Sequence, residues 1–379
     1  WHLRQSTLDH TDGRVQGDGV HVAVLDTGID TSHPLLTGKI GTSYNARVHE
    51  DTRDYLDRNG HGTHVAGIIA AAAGKPHAAD VMRGIAPGVT LHAVRILDAT
   101  GNGYLTDLIS GLVWVYQQPQ IKVVNMSLGS TNSSRVVEKI VKKLYNAGVV
   151  LVASAGNCQV TPPSSTAGNG EGGDGEGGDG EGGDGEGGDS APTNQGCSQK
   201  EVKYPAAYGE ASAVGATDVN ARVTYYSIAA PYVAVVAPGG TRLQGRVVST
   251  NTTVNASTAG GTANGTAGNS LGANGEGGDG EGGDGEGGDG EGGDGEGGDG
   301  EGTGVGGSGL YGLGSGTSQA APHVTGLVAL LRSVNPALTP AQVRTILQQT
   351  AVDLGAPVAV QGAGLIDAAR AVERARRWR

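Results

Sequence analysis

Three short blocks of the sequence place residues capable of acyl chemistry beside glycines and other small residues. Asp26 follows the run 20–25, Val-His-Val-Ala-Val-Leu, and precedes Thr-Gly. His61 opens His-Gly-Thr-His-Val-Ala-Gly, and Ser318 lies within Gly-Thr-Ser-Gln-Ala-Ala-Pro-His. Acyl transfer at neutral pH needs a nucleophile, a base that takes its proton, and a group that orients the base. A serine, a histidine and a carboxylate can fill these three roles.

Each of these residues also has an ordinary structural interpretation. Asp26 could close a turn, and Ser318 could cap a helix predicted over 318–334. A serine at a helix N-terminus would, however, also face backbone N–H groups that favour a developing negative charge. His64 and His323 are interpreted as structural histidines, and the pair in the second block lacks the Glu of the zinc-protease arrangement.

Segments typical of strands and helices alternate along the chain, which predicts an α/β fold with a parallel sheet. The predicted strands are 20–25, 89–97, 123–126, 149–153, 212–216 and 232–237. The predicted helices are 61–73, 104–118, 135–147, 318–334, 340–350 and a last one from Ile366 onward. Because parallel sheets present functional groups at the carboxyl ends of their strands, Asp26 is well placed for a site.

Two tracts of the repeat Gly-Glu-Gly-Gly-Asp interrupt this pattern. They hold 19 of the 38 acidic residues, so the rest of the chain has 19 acidic against 26 basic residues. With three glycines in five and no apolar side chain, such a segment cannot offset its ordering entropy. We therefore predict a single domain over 1–379 with disordered insertions at 168–190 and 259–308. Metal binding is the alternative, but calcium-binding repeats need an apolar residue in each unit.

Composition also bears on partners and on the compartment. The basic residues form no concentrated stripe, which argues against nucleic acid as a partner. No apolar run approaches the ~20 residues that span a bilayer. Trp1 follows no signal peptide, so the chain is interpreted as a mature domain whose targeting segment has been removed. Cys158 and Cys197 flank the first insertion, which favours a disulfide at its base over two free thiols.

Taken together and in order, the three blocks resemble the subtilisin family of serine proteases, over essentially the whole chain outside the insertions. The resemblance implies an α/β, three-layer subtilisin-like fold with a mostly parallel sheet between helices. It also implies a secreted, monomeric endopeptidase that needs no cofactor for its chemistry. Its expected partners are proteins or peptides in extended conformation, and a pro-segment is a candidate inhibitor. Ser318 would be the nucleophile, His61 the general base and Asp26 the orienting carboxylate.

The resemblance also implies an oxyanion hole and two substrate-binding segments. Asn157, preceded by Gly156, and the backbone N–H of Ser318 match the oxyanion-hole donors. Ser127-Leu128-Gly129 and Gly101-Asn102-Gly103 match the two segments that flank an extended substrate. A peptide would then bind between them as an added strand.

Several positions depart from the family pattern. Leu35 and Ala234 stand where relatives carry calcium-linked Asp, which argues against a structural calcium ion and leaves metal ligands unassigned. Gln319 follows the nucleophile where many relatives have Met. Counting back from Ala213-Val214-Gly215-Ala216 puts Lys203 near the base of the primary specificity pocket. There its ammonium would pair with an acidic substrate side chain, whereas a lysine turned to solvent is the alternative.

The main alternative function is a catalytically silent subtilisin-like module that serves in binding or in an extracellular matrix. The complete set of Asp26, His61, Ser318 and Asn157 favours the enzyme, because a retired site is expected to lose at least one of them. An exopeptidase would need a blocked groove or an acceptor for a terminal amine, and no sequence pattern indicates either.

Overall fold

The computed structural model describes residues 1–7, 15–72, 82–158, 202–242, 244–252, 270–272 and 310–378. Apart from 270–272, the predicted insertions 168–190 and 259–308 lie outside these residues, so their disorder stays a prediction. Among the described residues, no helix combines the length and the apolar character that crossing a lipid bilayer requires.

Helices and strands alternate along the described chain as predicted. The helices are α1 (His2–Gln5), α2 (His61–Ala70), α3 (Leu105–Tyr116), α4 (Arg135–Asn146), α5 (Thr317–Val334), α6 (Pro340–Thr350), α7 (Val358–Gln361) and α8 (Ala368–Arg376). The strands are β1 (His21–Asp26), β2 (Tyr44–Asn45), β3 (Thr90–Arg95), β4 (Asn102–Tyr104), β5 (Ile121–Met126), β6 (Val150–Ser154), β7 (Ala211–Thr217), β8 (Val233–Pro238), β9 (Val247–Thr250), β10 (Ser270–Gly272) and β11 (Tyr311–Gly314). Each of the six predicted strands corresponds to one of these.

Seven strands form one sheet in the order β2-β3-β1-β5-β6-β7-β8, and every neighbouring pair is parallel. The strand order reverses at β1, because the chain adds β3 on one side of β1 and β5 on the other. In open parallel sheets, ligands bind outside the carboxyl ends of the strands at such a reversal. Asp26 ends β1 and Ser127 follows β5, so both lie at this point.

The core has two halves, one on each face of the sheet. Val22 and Val24 of β1 face one cluster, which α2, α5, α6 and α8 cover. Ala23 and Leu25 face the other cluster, which α3 and α4 cover. Because alternate side chains of a strand point to opposite faces, a strand buried on both faces has the continuous apolar run seen at 22–25. The three-layer α/β architecture is therefore confirmed.

Outside the main sheet are two small ones. β9 pairs antiparallel with β11, and β10 pairs parallel with β4. The helix predicted over 61–73 ends at Ala70, because Ala71 takes an extended backbone. The Ala72 N–H then donates to the Leu35 carbonyl instead of continuing the helix.

Candidate active site

Asp26 and His61 form a buried, hydrogen-bonded pair at the carboxyl end of β1. His61 Nδ1 donates to Asp26 Oδ1 over 2.8 Å, and the Thr27 N–H donates to the same oxygen over 2.8 Å. A carboxylate oxygen accepts these bonds, so neutral His61 carries its proton on Nδ1. Its Nε2 is therefore the basic nitrogen of the ring.

The close approach of α2 to the end of β1 depends on Gly62. A Cβ built on Gly62 would lie 2.1 Å from the Gly28 carbonyl oxygen and 3.2 Å from Asp26 Cβ. The 2.1 Å contact with a backbone oxygen is not tolerable, so a side chain here would push the helix away. The glycine after His61 thus brings the imidazole within reach of its carboxylate.

Asp57, which the sequence analysis did not single out, organises the start of α2. Its Oδ1 accepts from the Thr27 hydroxyl and from the N–H groups of Asn59 and Gly60, over 2.8–2.9 Å. Its Oδ2 accepts from the Thr63 N–H and hydroxyl over 2.8 and 2.6 Å. This buried carboxylate therefore fixes the first turn of the helix that carries His61.

Both carboxylates act on the pKa of His61. Burial by itself lowers the pKa of the imidazole. The charge of Asp26, the hydrogen bond to it and the charge of Asp57 outweigh that effect and raise the pKa above 6.5. The raised pKa reflects preferential stabilisation of the imidazolium, the species that forms when a base takes a proton.

Ser318 is the second residue of α5 and is only 6% exposed. Its hydroxyl donates to the Ser127 carbonyl over 3.3 Å, and the Ser127 hydroxyl donates to the Ser318 carbonyl over 2.9 Å. The second bond has a cause in the sequence. Pro322 has no N–H, so the helix cannot supply its usual donor to the carbonyl four residues earlier. Ser127 donates to that carbonyl instead and ties the nucleophile candidate to the end of β5.

The first turns of α2 and α5 meet over Gly314 of β11. A Cβ built on Gly314 would lie 2.9 Å from Gln319 Nε2 and 3.0 Å from His64 Cε1. Gln319 is the neighbour of Ser318, and His64 lies one turn after His61. The packing of the two helices therefore brings the two N-terminal turns to one side of the molecule.

Asn157 follows β6 and is anchored through its side-chain oxygen. Asn157 Oδ1 accepts from the Thr317 N–H and from the Thr317 hydroxyl, each over 2.9 Å. The Thr317 hydroxyl in turn accepts from the Gly156 N–H over 3.2 Å. With its oxygen held in this way, the amide presents its NH2 half as the donor. Thr317 was not identified from the sequence.

The segments expected to flank a substrate lie at the ends of two strands. Asn102 and Gly103 belong to β4, and Gly101 precedes them with a φ of 83°. Ser127-Leu128-Gly129 follows β5 on the other side. Residues 270–272 pair with β4, so one edge of β4 already has a partner strand.

Lys203 lies beside both Gly129 and Gly156, at atoms of its aliphatic stem. From the sequence it was expected near the base of the primary specificity pocket, and that placement stays a prediction. Cys158 is buried, and its N–H donates to the Tyr226 carbonyl over 2.8 Å. Cys197 lies outside the described residues, so the pairing of the two cysteines stays a prediction.

His64 and His323 are buried, and both donate to backbone carbonyls. His64 Nε2 donates to the Val247 carbonyl over 3.2 Å, and His323 Nδ1 donates to the Gln319 carbonyl over 2.8 Å. His323 Nε2 then accepts from His2 Nδ1 over 2.9 Å. Burial lowers the pKa of His64 to about 3 and that of His323 to about 4. These neutral rings serve in packing and hydrogen bonding.

Neither position linked to calcium in the family offers a carboxylate. Leu35 supplies its backbone carbonyl to the Ala72 N–H, and the Ala234 carbonyl accepts from the Ala363 N–H. In the described part of the chain, no three or more His, Cys, Asp or Glu side chains group as metal ligands. Leu35 and Ala234 therefore supply no side-chain ligand for calcium, and the doubt about a structural calcium ion stays a prediction.

A parallel sheet with a buried Asp–His pair at its switch point, and with a serine on the first turn of the adjacent helix, defines an α/β protein with a serine hydrolase type of site. The chain belongs to the subtilase family, whose model matches residues 17–273 and 287–364.

Several named proteases from Bacillus species are similar to the chain along most of its length. Subtilisin from Bacillus pumilus is 31% identical over 94% of this chain and 92% of its own length. Subtilisin amylosacchariticus from Bacillus subtilis subsp. amylosacchariticus is 30% identical over 94% of this chain. Minor extracellular protease Epr from Bacillus subtilis is 31% identical over 89% of this chain and 36% of its own length. The chain spans 66% of the length of Subtilisin amylosacchariticus, which is just under two thirds.

Proposed function

We propose that this protein is a serine endopeptidase that hydrolyses peptide bonds through an acyl-enzyme on Ser318. The observation that carries the proposal is the 2.8 Å bond from His61 Nδ1 to Asp26 Oδ1, which makes Nε2 the basic nitrogen. Membership of the subtilase family supports the same reaction.

In the proposed mechanism, the Ser318 hydroxyl turns from the Ser127 carbonyl to His61 Nε2, which takes its proton as Oγ attacks the substrate carbonyl. Asp26 stabilises the imidazolium that results. His61 then gives the proton to the leaving amine, and the acyl group remains on Oγ. A water molecule, deprotonated by the same nitrogen, then attacks the ester carbonyl. The bond to Oγ breaks, Oγ takes the proton back from His61 Nε2, and the acid is released.

The negative charge on the tetrahedral oxygen needs donors that are already in place. The Asn157 NH2 and the Ser318 backbone N–H at the start of α5 are the proposed donors. The two bonds from Thr317 to Asn157 Oδ1 support it, because they orient the amide before substrate arrives. Removal of one such donor typically costs roughly 100- to 1,000-fold in rate.

The substrate is proposed to bind in extended form between β4 and Ser127-Leu128-Gly129. Gly101, Asn102, Gly103 and Gly156 offer backbone at close range, which suits pairing with a peptide main chain. The pairing of residues 270–272 with β4 means that the peptide would use the other edge of β4 or displace that strand. Loops and unfolded segments of proteins meet the need for extended backbone.

The setting proposed for the enzyme is extracellular. The Cys158–Cys197 disulfide, a monomeric state, an inhibitory pro-segment and chemistry without a cofactor belong to the same proposal. The name of the Epr protease describes that relative as extracellular, which supports secretion. Intact mass before and after reduction, combined with thiol alkylation, tests the disulfide.

A fluorophosphonate probe separates the enzyme from the silent binding module. We expect stoichiometric labelling of the wild-type protein, loss of labelling in Ser318→Ala, and parallel loss of casein hydrolysis. Ser333→Ala is the matched control, because Ser333 lies on the last turn of the same helix and its hydroxyl donates to the Leu330 carbonyl. Folded wild-type protein that neither labels nor hydrolyses casein would favour the silent module.

A further inference from the structure

Lys203 is fixed by its own backbone to one wall of the proposed substrate pocket. The Lys203 N–H donates to the Tyr232 hydroxyl over 3.2 Å, and that hydroxyl donates to the Ala155 carbonyl over 3.2 Å. Ala155 directly precedes Gly156 and Asn157. The chain at Lys203 therefore lies at a fixed distance from the oxyanion-hole segment.

The next residue fixes the chain to the opposite wall. Tyr204 and Ser130 exchange two backbone hydrogen bonds, of 2.8 Å from the Tyr204 N–H and 2.9 Å from the Ser130 N–H. Ser130 directly follows Ser127-Leu128-Gly129. Two successive residues thus bridge the two segments that form the sides of the pocket.

The side chain of Lys203 runs between these walls. A Cβ built on Gly156 would lie 2.6 Å from Lys203 Cγ, and one built on Gly129 would lie 3.7 Å from Lys203 Cβ and 4.0 Å from its Cδ. Gly156 also has a φ of 108°, a conformation that favours glycine. Both walls have no side chain where the lysine stem passes, so the stem occupies the space between them.

We propose that Lys203 lies at the base of the pocket for the substrate side chain just before the cleaved bond, and that it selects glutamate and aspartate there. The inference rests on the proposed function, because the pocket has this role only if Ser318 attacks the peptide. Lys203 is half-buried, and the ammonium ends a stem that packs between two glycine walls. In this role it would form a charge-assisted hydrogen bond with the carboxylate of an incoming Glu or Asp side chain, and such bonds are stronger than those between neutral groups.

The test uses four peptide anilides that differ only in the residue before the cleaved bond, which is Glu, Gln, Leu or Lys. Glu and Gln have the same shape, so their ratio isolates the charge. We expect kcat/KM of the wild-type enzyme for the Glu peptide to exceed that for the Gln peptide by about tenfold or more. A ratio of one or less, with the Leu peptide cleaved, overturns the inference and leaves the proposed function intact.

Two variants assign the preference to Lys203. Lys203→Met keeps the stem and removes the charge, so the Glu-to-Gln ratio should fall to about one. Lys203→Glu should reverse the preference in favour of the Lys peptide. Lys139→Met, at an exposed position on α4, is the matched control and should keep the wild-type ratio. A Glu preference that survives in Lys203→Met overturns the assignment.

Active-site titration with the fluorophosphonate probe distinguishes the possible failures. A variant that labels stoichiometrically is folded and competent, so its peptide ratios report on the pocket. Wild-type protein that neither labels nor cleaves any of the four peptides overturns both the proposed function and this inference.

Discussion

Thr317 holds the side-chain oxygen of Asn157 through two hydrogen bonds of 2.9 Å, one from its N–H and one from its hydroxyl. The two residues come from different elements, since Thr317 opens α5 and Asn157 follows β6. Thr317 is thus a positioning residue, which acts on the oxyanion through the amide that it orients.

Thr317→Val removes the hydroxyl and keeps the shape of the side chain. We expect kcat to fall by about tenfold, as the loss of one positioning hydrogen bond implies, while KM changes little. Steady-state kinetics on a soluble peptide measure both constants. Thr317→Ser restores the hydroxyl and should recover most of kcat. A valine variant with wild-type kcat would contradict the role of the hydroxyl.

Asp57→Asn should move the acidic limb of the pH profile. Asp57 contributes to the raised pKa of His61, so removing its charge should lower the apparent pKa of kcat/KM. The wild-type value is expected above 6.5, with activity lost as pH falls through it. The same substitution should reduce the free energy of unfolding by roughly 2–4 kcal/mol, because an NH2 group would face donors such as the Thr63 hydroxyl. An unshifted limb in a folded variant contradicts the electrostatic link.

Ser127 and Pro322 should be energetically coupled through the Ser318 carbonyl. Ser127→Ala leaves that buried oxygen without its donor, at a cost of about 1–3 kcal/mol in the free energy of unfolding. In Pro322→Ala the helix regains an N–H for the same carbonyl, so Ser127→Ala should cost about 1 kcal/mol less in that background. Urea denaturation of the four proteins completes the cycle. Equal costs in both backgrounds would argue against this explanation of the Ser127 bond.

The free energy of unfolding should fall as the solution becomes acidic. His2, His64, His92 and His323 all have pKa values lowered mainly by burial, with His64 at about 3 and His323 at about 4. Below pH 6.5 the unfolded chain gains protons that these folded rings exclude. His61 has a raised pKa and therefore adds stability as the pH falls, but its contribution is that of a single residue. The four histidines with lowered pKa values should dominate.

Between pH 8 and pH 5, the free energy of unfolding should fall by roughly 1–2 kcal/mol for each fully buried ring, such as His64 or His323. Urea denaturation between pH 8 and pH 5 measures it. His323→Asn removes one titrating ring, so its stability should vary less steeply with pH than that of the wild type. A stability that stays constant from pH 7.5 to pH 5 would contradict the prediction.

Gln319 should make the activity resistant to hydrogen peroxide. Its side chain is buried beside Ser318, and neither amide atom has a hydrogen-bond partner within the described part of the chain. Gln319→Met should gain about 1 kcal/mol of stability by removing this buried amide, but peroxide should then abolish most of its activity. Gln319→Leu is the matched control, with the same gain and no sensitivity. Equal inactivation of the wild type and Gln319→Met would contradict the prediction.

The sequence was informative where local pattern decides structure. The run 20–25 predicted a buried strand because both faces of β1 are covered, so residues 22–25 are all apolar. Which of those residues face α2 and which face α3 could not be read from the run, since the alternation carries no polar marker. The order of strands was likewise set by long-range pairing.

The parts that escaped prediction depend on partners distant in sequence. β9 and β11 are each four residues long, and what defines each of them as a strand is its antiparallel pairing with the other. Asp57 and Thr317 resemble ordinary turn and capping residues, and their contacts with Thr63 and Asn157 appear only after the chain has folded. Lys203 was singled out from the sequence because the run that begins at Ala213, ten residues later, provided a fixed point for counting back. Its role in the pocket stays a proposal.

The antiparallel pair of β9 and β11 has a practical consequence for protein engineering. The chain leaves β9 near Asn251 and returns at Leu310, where the Asn251 N–H donates to the Leu310 carbonyl over 2.9 Å. The stems of the intervening segment are therefore hydrogen-bonded neighbours, so the cost of closing the loop changes slowly with its length. We expect this connection, outside the β10 strand that pairs with β4, to accept a guest domain whose own termini lie close together. The enzyme could then serve as a host for tethered sensors or binding modules.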